Sequence, residues 1–282
     1  MTKRKPNKEA LKHIKLSKYG DNEWSFEYPR LEFETLETLH EAIDRHHSGD
    51  LKGARTQLKQ LIKQFPEFID AYHHLALLLD DSGQPYEAFK LIQSAVDLGL
   101  SSLPSNFYFG RDLLPWMHLD NRPFLRVYHY LGLQYLEIEQ TEKALFIFNN
   151  ILDVNPNDNQ GIRSLGINCY LELKRPLDVL RIVEKYPDDA MADTLYGKVL
   201  ALFQLERIKE AKKALKEAVK VLPLVAQEIS KKRHRKPRGM QLDYITLGGE
   251  DEAYYFWQQN GKHWQQTPGA EQFLSENLPG LQ

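Results

Sequence analysis

The stretch Tyr128–Tyr135, YHYLGLQY, followed by Ala144, Phe148 and Pro156, decides the fold of this chain. Tyr128, Leu131, Gly132 and Tyr135 stand at i, i+3, i+4 and i+7, which places all four on one stripe of a helix. Gly132 has no side chain, so a neighbouring helix can come close to its backbone. Ala144 and Phe148 lie one turn apart on a second helix, where a small residue beside a large one lets the pair interlock. Pro156 cannot continue that helix and forces a turn. The stretch therefore predicts a helical hairpin.

The same frame returns along the chain. Ala54 and Ala88 are 34 residues apart, and the 12-residue interval from Ala144 to Pro156 recurs from Ala54 to Pro66 and from Ala211 to Pro223. Five hairpins follow: Thr35–Phe68, Ile69–Ser102, Leu125–Asp158, a shortened pair Asn159–Asp189 whose second helix opens at Pro176, and Ala192–Val225. Gly49 and Gly83 fall at the bends of the first two, where a left-handed backbone suits glycine. One hairpin cannot bury its apolar face alone, and about three stacked units are needed for stability.

The pattern resembles the large-x2-Leu-Gly-x2-Tyr…Ala-x3-Phe…Pro signature of the tetratricopeptide repeat (TPR). The resemblance implies an all-α fold, a TPR-type α-solenoid forming a right-handed superhelix of about five helical hairpins. It also implies that the first helix of each pair lines a concave surface that takes an extended peptide or a partner helix. The strings LPWMHLDNRPFLRVYHYLGLQYLE, NPNDNQGIR, LYGKVLALFQL and GGEDEAYYFW…HWQQTPGAEQFL resemble a set of bacterial TPR proteins and the C-terminal half of the suppressor-of-tumorigenicity 7 family, over about Leu114 to Leu274. That family implies no enzymatic activity. Its animal members resemble membrane-anchored proteins, whereas this sequence has no apolar run near the ~18 residues of a membrane span.

Composition agrees with a soluble folded protein, 27% charged and 42% apolar. The basic N-terminus is not followed by an apolar stretch, so no secretory signal is expected. A single cysteine, Cys169, excludes an internal disulfide framework and suits a reducing, cytoplasmic setting. On its predicted buried helix face it reads as a packed, inert thiol. The net charge of −2 is unevenly laid out: residues 1–20 carry seven Lys/Arg against one Glu, and Lys231 to Arg238 adds six cations.

Two stretches break the repeat. Ala88 and Ala144 are 56 residues apart, 22 more than one repeat, so an insertion lies at about 98–124. Its Phe107, Tyr108, Phe109, Leu113, Leu114 and Trp116 are too apolar for a solvated linker and predict a segment packed on the repeats, with a ligand-contacting loop as the alternative. After Val225 a helix carries Ala253, Phe256, Trp257 and Trp264, and Thr267 reads as the N-cap of a further helix with Pro268 at its first position. A repeat array needs a terminal cap; the alternative is a tail that folds back into the groove. The expected organisation is a basic segment 1–34, repeats 35–225, and a basic loop with a C-terminal helical cap 226–282.

Counting each repeat from its first residue, places 2, 5, 6, 9, 12 and 13 of the first helix face the groove. They hold Leu36, Leu39, His40, Ile43, His46 and His47, then Asp70, His73, His74, Leu77, Asp80 and Asp81, then Arg126, His129, Tyr130, Leu133, Leu136 and Glu137, with Gln160 and Arg163 in the shortened pair. Six of the ten histidines thus map onto one surface. The partner-binding candidates are His40, His47, His73, His74, Arg126, His129, Tyr130 and Arg163, the two arginines serving as anchors for an acidic group. Packed or solvated contacts are the ordinary reading of the histidines. Alternatives are a pH-tuned groove, or a metal held by His40, His47, His73 or His74 with Asp80 or Asp81, although the spacing matches no zinc signature. The Lys and Asn that chaperone-binding TPR domains place at positions 5 and 9 are absent, so a chaperone-tail receptor is disfavoured.

No phosphate-binding glycine loop, nucleophile elbow or Cys-x2-Cys pair is present, so neither an enzyme nor a cofactor is expected. The sequence predicts an adaptor for a protein or peptide. The alternative is a nucleic-acid-associated or regulatory protein using Lys231, Lys232, Arg233, Arg235, Lys236 and Arg238, disfavoured by the lack of interleaved aromatics for base stacking.

Overall fold

The computed structural model describes residues 13–241 and 244–278; most of the basic N-terminal run lies outside them. The chain divides into two compact units, Met1–Gln160 and Gly161–Gln282. The first contains strands β1 (Lys15–Lys18) and β2 (Trp24–Glu27) and helices α1 (Phe33–His47), α2 (Leu51–Gln64), α3 (Ile69–Asp81), α4 (Pro85–Ser101), α5 (Arg122–Glu137) and α6 (Thr141–Val154). The second contains α7 (Ile162–Glu172), α8 (Pro176–Lys185), α9 (Ala192–Gln204), α10 (Ile208–Val221), α11 (Pro223–Ile229), α12 (Glu250–Gln266) and α13 (Ala270–Glu276). The five expected hairpins are the pairs from α1–α2 to α9–α10.

Their interlock follows the sequence reading. Ala144 and Phe148 are fully buried, and a Cβ at Gly132 would stand 2.4 Å from the Phe148 ring. The missing side chain of α5 is the seat of the large one on α6. Gly197 does the same between first helices, where a Cβ would lie 2.8 Å from Ile167. Cys169 is buried, as expected.

Each hairpin bends at the second residue past its first helix, and that residue has positive φ in all five: Gly49 at 88°, Gly83 at 71°, Glu139 at 57°, Lys174 at 55° and Glu206 at 58°. The left-handed turn is thus a property of the hairpin, and three of the five make it against the preference of an L side chain. Replacing Glu139 and Lys174 by glycine is expected to stabilise the protein by about 0.5–1 kcal/mol each, as relieved left-handed strain outweighs the added chain entropy. Urea midpoints of the two variants check this.

The N-terminal segment is more than a basic extension. β1 and β2 form an antiparallel hairpin pairing Lys15 with Glu27 and Lys18 with Trp24, and Leu16, Trp24 and Phe26 are buried. The insertion meets this hairpin: the Trp24 amide donates to the Leu113 carbonyl at 2.9 Å, and the Leu113 amide to Asn22 at 2.7 Å. Asn121, fully buried, accepts from the Phe26 amide at 3.0 Å and donates to the carbonyls of Trp24 at 3.0 Å and Pro115 at 3.1 Å. The Leu114 amide donates to Val154 of α6 at 2.7 Å. The insertion therefore packs on the repeats, with Phe107 and Leu114 inside and Tyr108 outside.

In the second unit α11 follows α10 directly, so helical structure runs past the expected boundary at 225. Thr267 does not start a helix. It ends α12, its hydroxyl donating to the His263 carbonyl at 2.7 Å, and α13 begins at Ala270 behind Gly269, whose φ is 81°. Pro268 and Gly269 form a turn there, which the left-handed glycine makes possible and which displaces the start of the helix. α12 packs against α11, α9 and α7, burying Ala253, Phe256, Trp257 and Trp264.

Candidate functional site

Groove residues of successive first helices meet, and in the first unit this joins those of α3 and α5 into a hydrogen-bonded layer. Arg126 donates to Asp70 at 2.8 Å. The Tyr130 hydroxyl and the Gln134 amide both donate to one oxygen of Asp80, the amide at 2.7 Å. The edge of one ring of the His73–Tyr130 pair meets the face of the other at 5.6 Å between centroids, and the His73 and His74 rings are 5.4 Å apart. His46 ties α1 to α3 through Asp81 at 2.9 Å. Beyond the end of α6, the Gln160 amide donates to the Leu125 carbonyl at 3.1 Å and lies 3.5 Å from Nδ1 of His129.

The layer is not saturated. His73 Nδ1, Asp80 Oδ1, Arg126 Nε, His129 Nε2 and Gln160 Oε1 are all buried and have no hydrogen-bond partner. Such atoms cost about 1–3 kcal/mol each when left unmet. Five of them belong to residues of this layer, donors and acceptors both.

Burial sets the protonation of this face. It pushes His73 down to about 3, helped by the charges of His74, Arg126 and His129. Burial likewise takes His74 and His129 down to about 4. These three imidazoles are neutral at pH 7 and through the range in which exposed histidines titrate, so a groove that charges near pH 6.5 is not what their burial produces. Burial and the Asp80 carboxylate push the Tyr130 phenol far up, keeping it a donor. Burial raises Asp70 despite its Arg126 partner.

The structure thus brings together Arg126, His73, His74, His129 and Tyr130. His40 and His47 remain exposed on α1, near enough for their charge to act on His74. Arg163 is not an open anchor: its guanidinium holds Asp189 through Nε at 2.6 Å and Nη2 at 3.1 Å and lies over the Tyr186 ring. Gln134 was not foreseen, because its role depends on Asp80 of the preceding repeat. Among the described residues no three His, Cys, Asp or Glu side chains are grouped to hold a metal ion.

The basic run is a pinned loop. His234 stacks on Trp257 at 3.8 Å and pairs with the buried Glu228 at 2.9 Å, while Lys231 takes the other Glu228 oxygen at 2.5 Å. Lys232, Arg233, Arg235, Lys236 and Arg238 stay exposed. Among the described residues no helix is long and apolar enough to cross a membrane.

Paired helices, a recurrent left-handed bend and a polar first-helix face define the all-α fold of the tetratricopeptide repeat proteins. The family model described as Tetratricopeptide repeat matches residues 192–221, the α9–α10 hairpin. A tetratricopeptide repeat protein from Parabacteroides merdae ATCC 43184 aligns with a TM-score of 0.50 and 16% identity over 83% of this chain and 77% of that one. The MamA protein aligns with a TM-score of 0.50 and 16% identity, over 72% and 98% respectively. No curated protein matches the sequence. At these identities the likeness is one of fold.

Proposed function

We propose that the chain is a non-enzymatic cytoplasmic adaptor that holds a peptide or helix of a partner protein on the first-helix face of α3 and α5. The observation that carries this is the polar layer that runs along the first-helix face of α3 and α5, from Arg126–Asp70 to Gln134–Asp80. Main-chain amides of a bound peptide offer both donors and acceptors, and would exchange bonds with the part-exposed Asp70, Asp80, Arg126 and Tyr130 side chains of that layer. The ligand group is neutral-polar at this face, since Arg126 already holds Asp70. In a displayed-peptide selection, binders of the wild type are expected to lose about 10–100-fold in affinity to a variant carrying His129→Ala and Gln160→Ala, about 1.4–2.7 kcal/mol. Peptides bound equally by both would place the site elsewhere.

A second reading rests on the pinned loop. The Glu228–His234–Trp257 contacts hold five exposed cations on an ordered segment, which supports binding of a polyanion such as nucleic acid. A salt-sensitive shift with short RNA or DNA, lost when those five become serine, is the required result.

A further inference from the structure

The first-helix face of the second unit already has an occupant. In the fifth hairpin the groove places 2, 5, 12 and 13 are Asp193, Tyr196, Phe203 and Gln204, and α12–α13 meets all four. Asn260 donates to Asp193 at 2.8 Å, and Gln204 donates to the Thr267 hydroxyl at 2.9 Å. Phe256 lies 5.8 Å from Tyr196 and Phe273 4.8 Å from Phe203, ring to ring. On α7, Asn168 donates to the Gln259 carbonyl at 3.3 Å and pairs through Oδ1 with His263 at 2.7 Å, while Lys262 bridges to Glu172 at 2.6 Å.

From this geometry we infer that α7 and α9 carry a docking site for an amphipathic helix of a partner protein, and that the chain's own α12 is its replaceable occupant. The contacts state what fits. Phe256, Asn260, His263 and Trp264 stand at i, i+4, i+7 and i+8, one helical stripe. A competing helix presents an aromatic residue to Tyr196, an amide to Asp193 and a hydrogen-bonding ring to Asn168.

Two features separate an occupant from a permanent seal. The seam holds five polar links among its ring contacts, the character of surfaces that part rather than of a dry core. The tether is long: residues 230–249 separate α11 from α12 and contain no helix among those described, so α12 can leave while α11 stays on α10 once its packing on α11 and the Glu228–His234–Trp257 contacts open with it. The inference is independent of the reading of α3 and α5, and its test leaves those helices untouched.

The probe is a fluorescent synthetic peptide of residues 249–278, titrated at pH 8 into full-length protein. Wild type, with its site filled, is expected to bind it weakly. Asn260→Asp sets a carboxylate against Asp193 and should release the tail, tightening peptide binding at least 10-fold. Adding Asp193→Asn restores an amide–carboxylate pair with the roles exchanged, and binding should return to the wild-type level. A folded N260D protein with no gain in peptide binding overturns the inference. If N260D fails to fold, hydrogen exchange of the wild type decides. Opening of α12 while α9 and α10 stay protected supports the inference, and exchange of α12 together with α9 only on global unfolding overturns it.

Discussion

Between pH 7 and pH 5.5 the urea midpoint is expected to fall steeply. Burial holds His73 at about 3 and His74, His129 and His263 at about 4, against 6.5 for a free imidazole. The native protein therefore binds these protons less readily than the unfolded chain. Their contribution is fully present above about 6.5 and is lost as the pH falls from there toward the folded values. At one unit below 6.5 each group costs about 1.4 kcal/mol, so the three in the first unit remove about 4 kcal/mol, a large share of the roughly 5–15 kcal/mol that stabilises a domain. Asp70 and Asp193, raised by burial, act in the opposite sense and return part of this as they take up protons at lower pH. A midpoint that stays flat from pH 7 to 5.5 would contradict the burial of these rings. His129→Gln should make the slope shallower.

Replacing Asn121 by alanine is the second change expected to matter most. Its side chain satisfies three buried backbone groups, from Phe26, Trp24 and Pro115, at 3.0–3.1 Å. Alanine leaves all three unmet and adds a void, at about 1–3 kcal/mol for each group, so about 3–6 kcal/mol in all after partial hydration. For a unit of this size the thermal midpoint should drop by about 10 °C. The Trp24–Phe26 strand should also detach, so that trypsin cuts at Lys15 and Lys18 well below the main transition. A shift under about 2 °C with no early cleavage would show that the strand is held by its apolar side chains alone.

The helices were legible because each repeat writes its own period. Tyr128, Leu131 and Tyr135 on α5, and Ala144 and Phe148 on α6, are buried or half-buried where the spacing puts them. The groove stripe was legible for the same reason, placing Asp70, His73, Arg126 and His129 on facing helices. Which of them would be paired was not. The Arg126–Asp70 link spans 56 residues and the Asp80–Gln134 link 54, and no local pattern encodes a partner one repeat away. The β-hairpin was missed although Trp24 and Phe26 alternate as strand residues do. Each strand is four residues long, and the neighbours that bond to β2, Leu113 and Asn121, lie about 90 residues downstream. Thr267-Pro268 carried the signature of a helix start, and the left-handed Gly269 overrode it.

Repeat arrays with only neighbour-to-neighbour contacts unravel from their ends, one module at a time. The bonds from Asn22, Trp24 and Phe26 to the segment around Leu113–Asn121 work like a hem, fastening the free margin of the first unit to its interior. Pulled by its N-terminus, for example by an unfoldase, this unit should resist as a block and then give way in one step, without shedding its leading helices first.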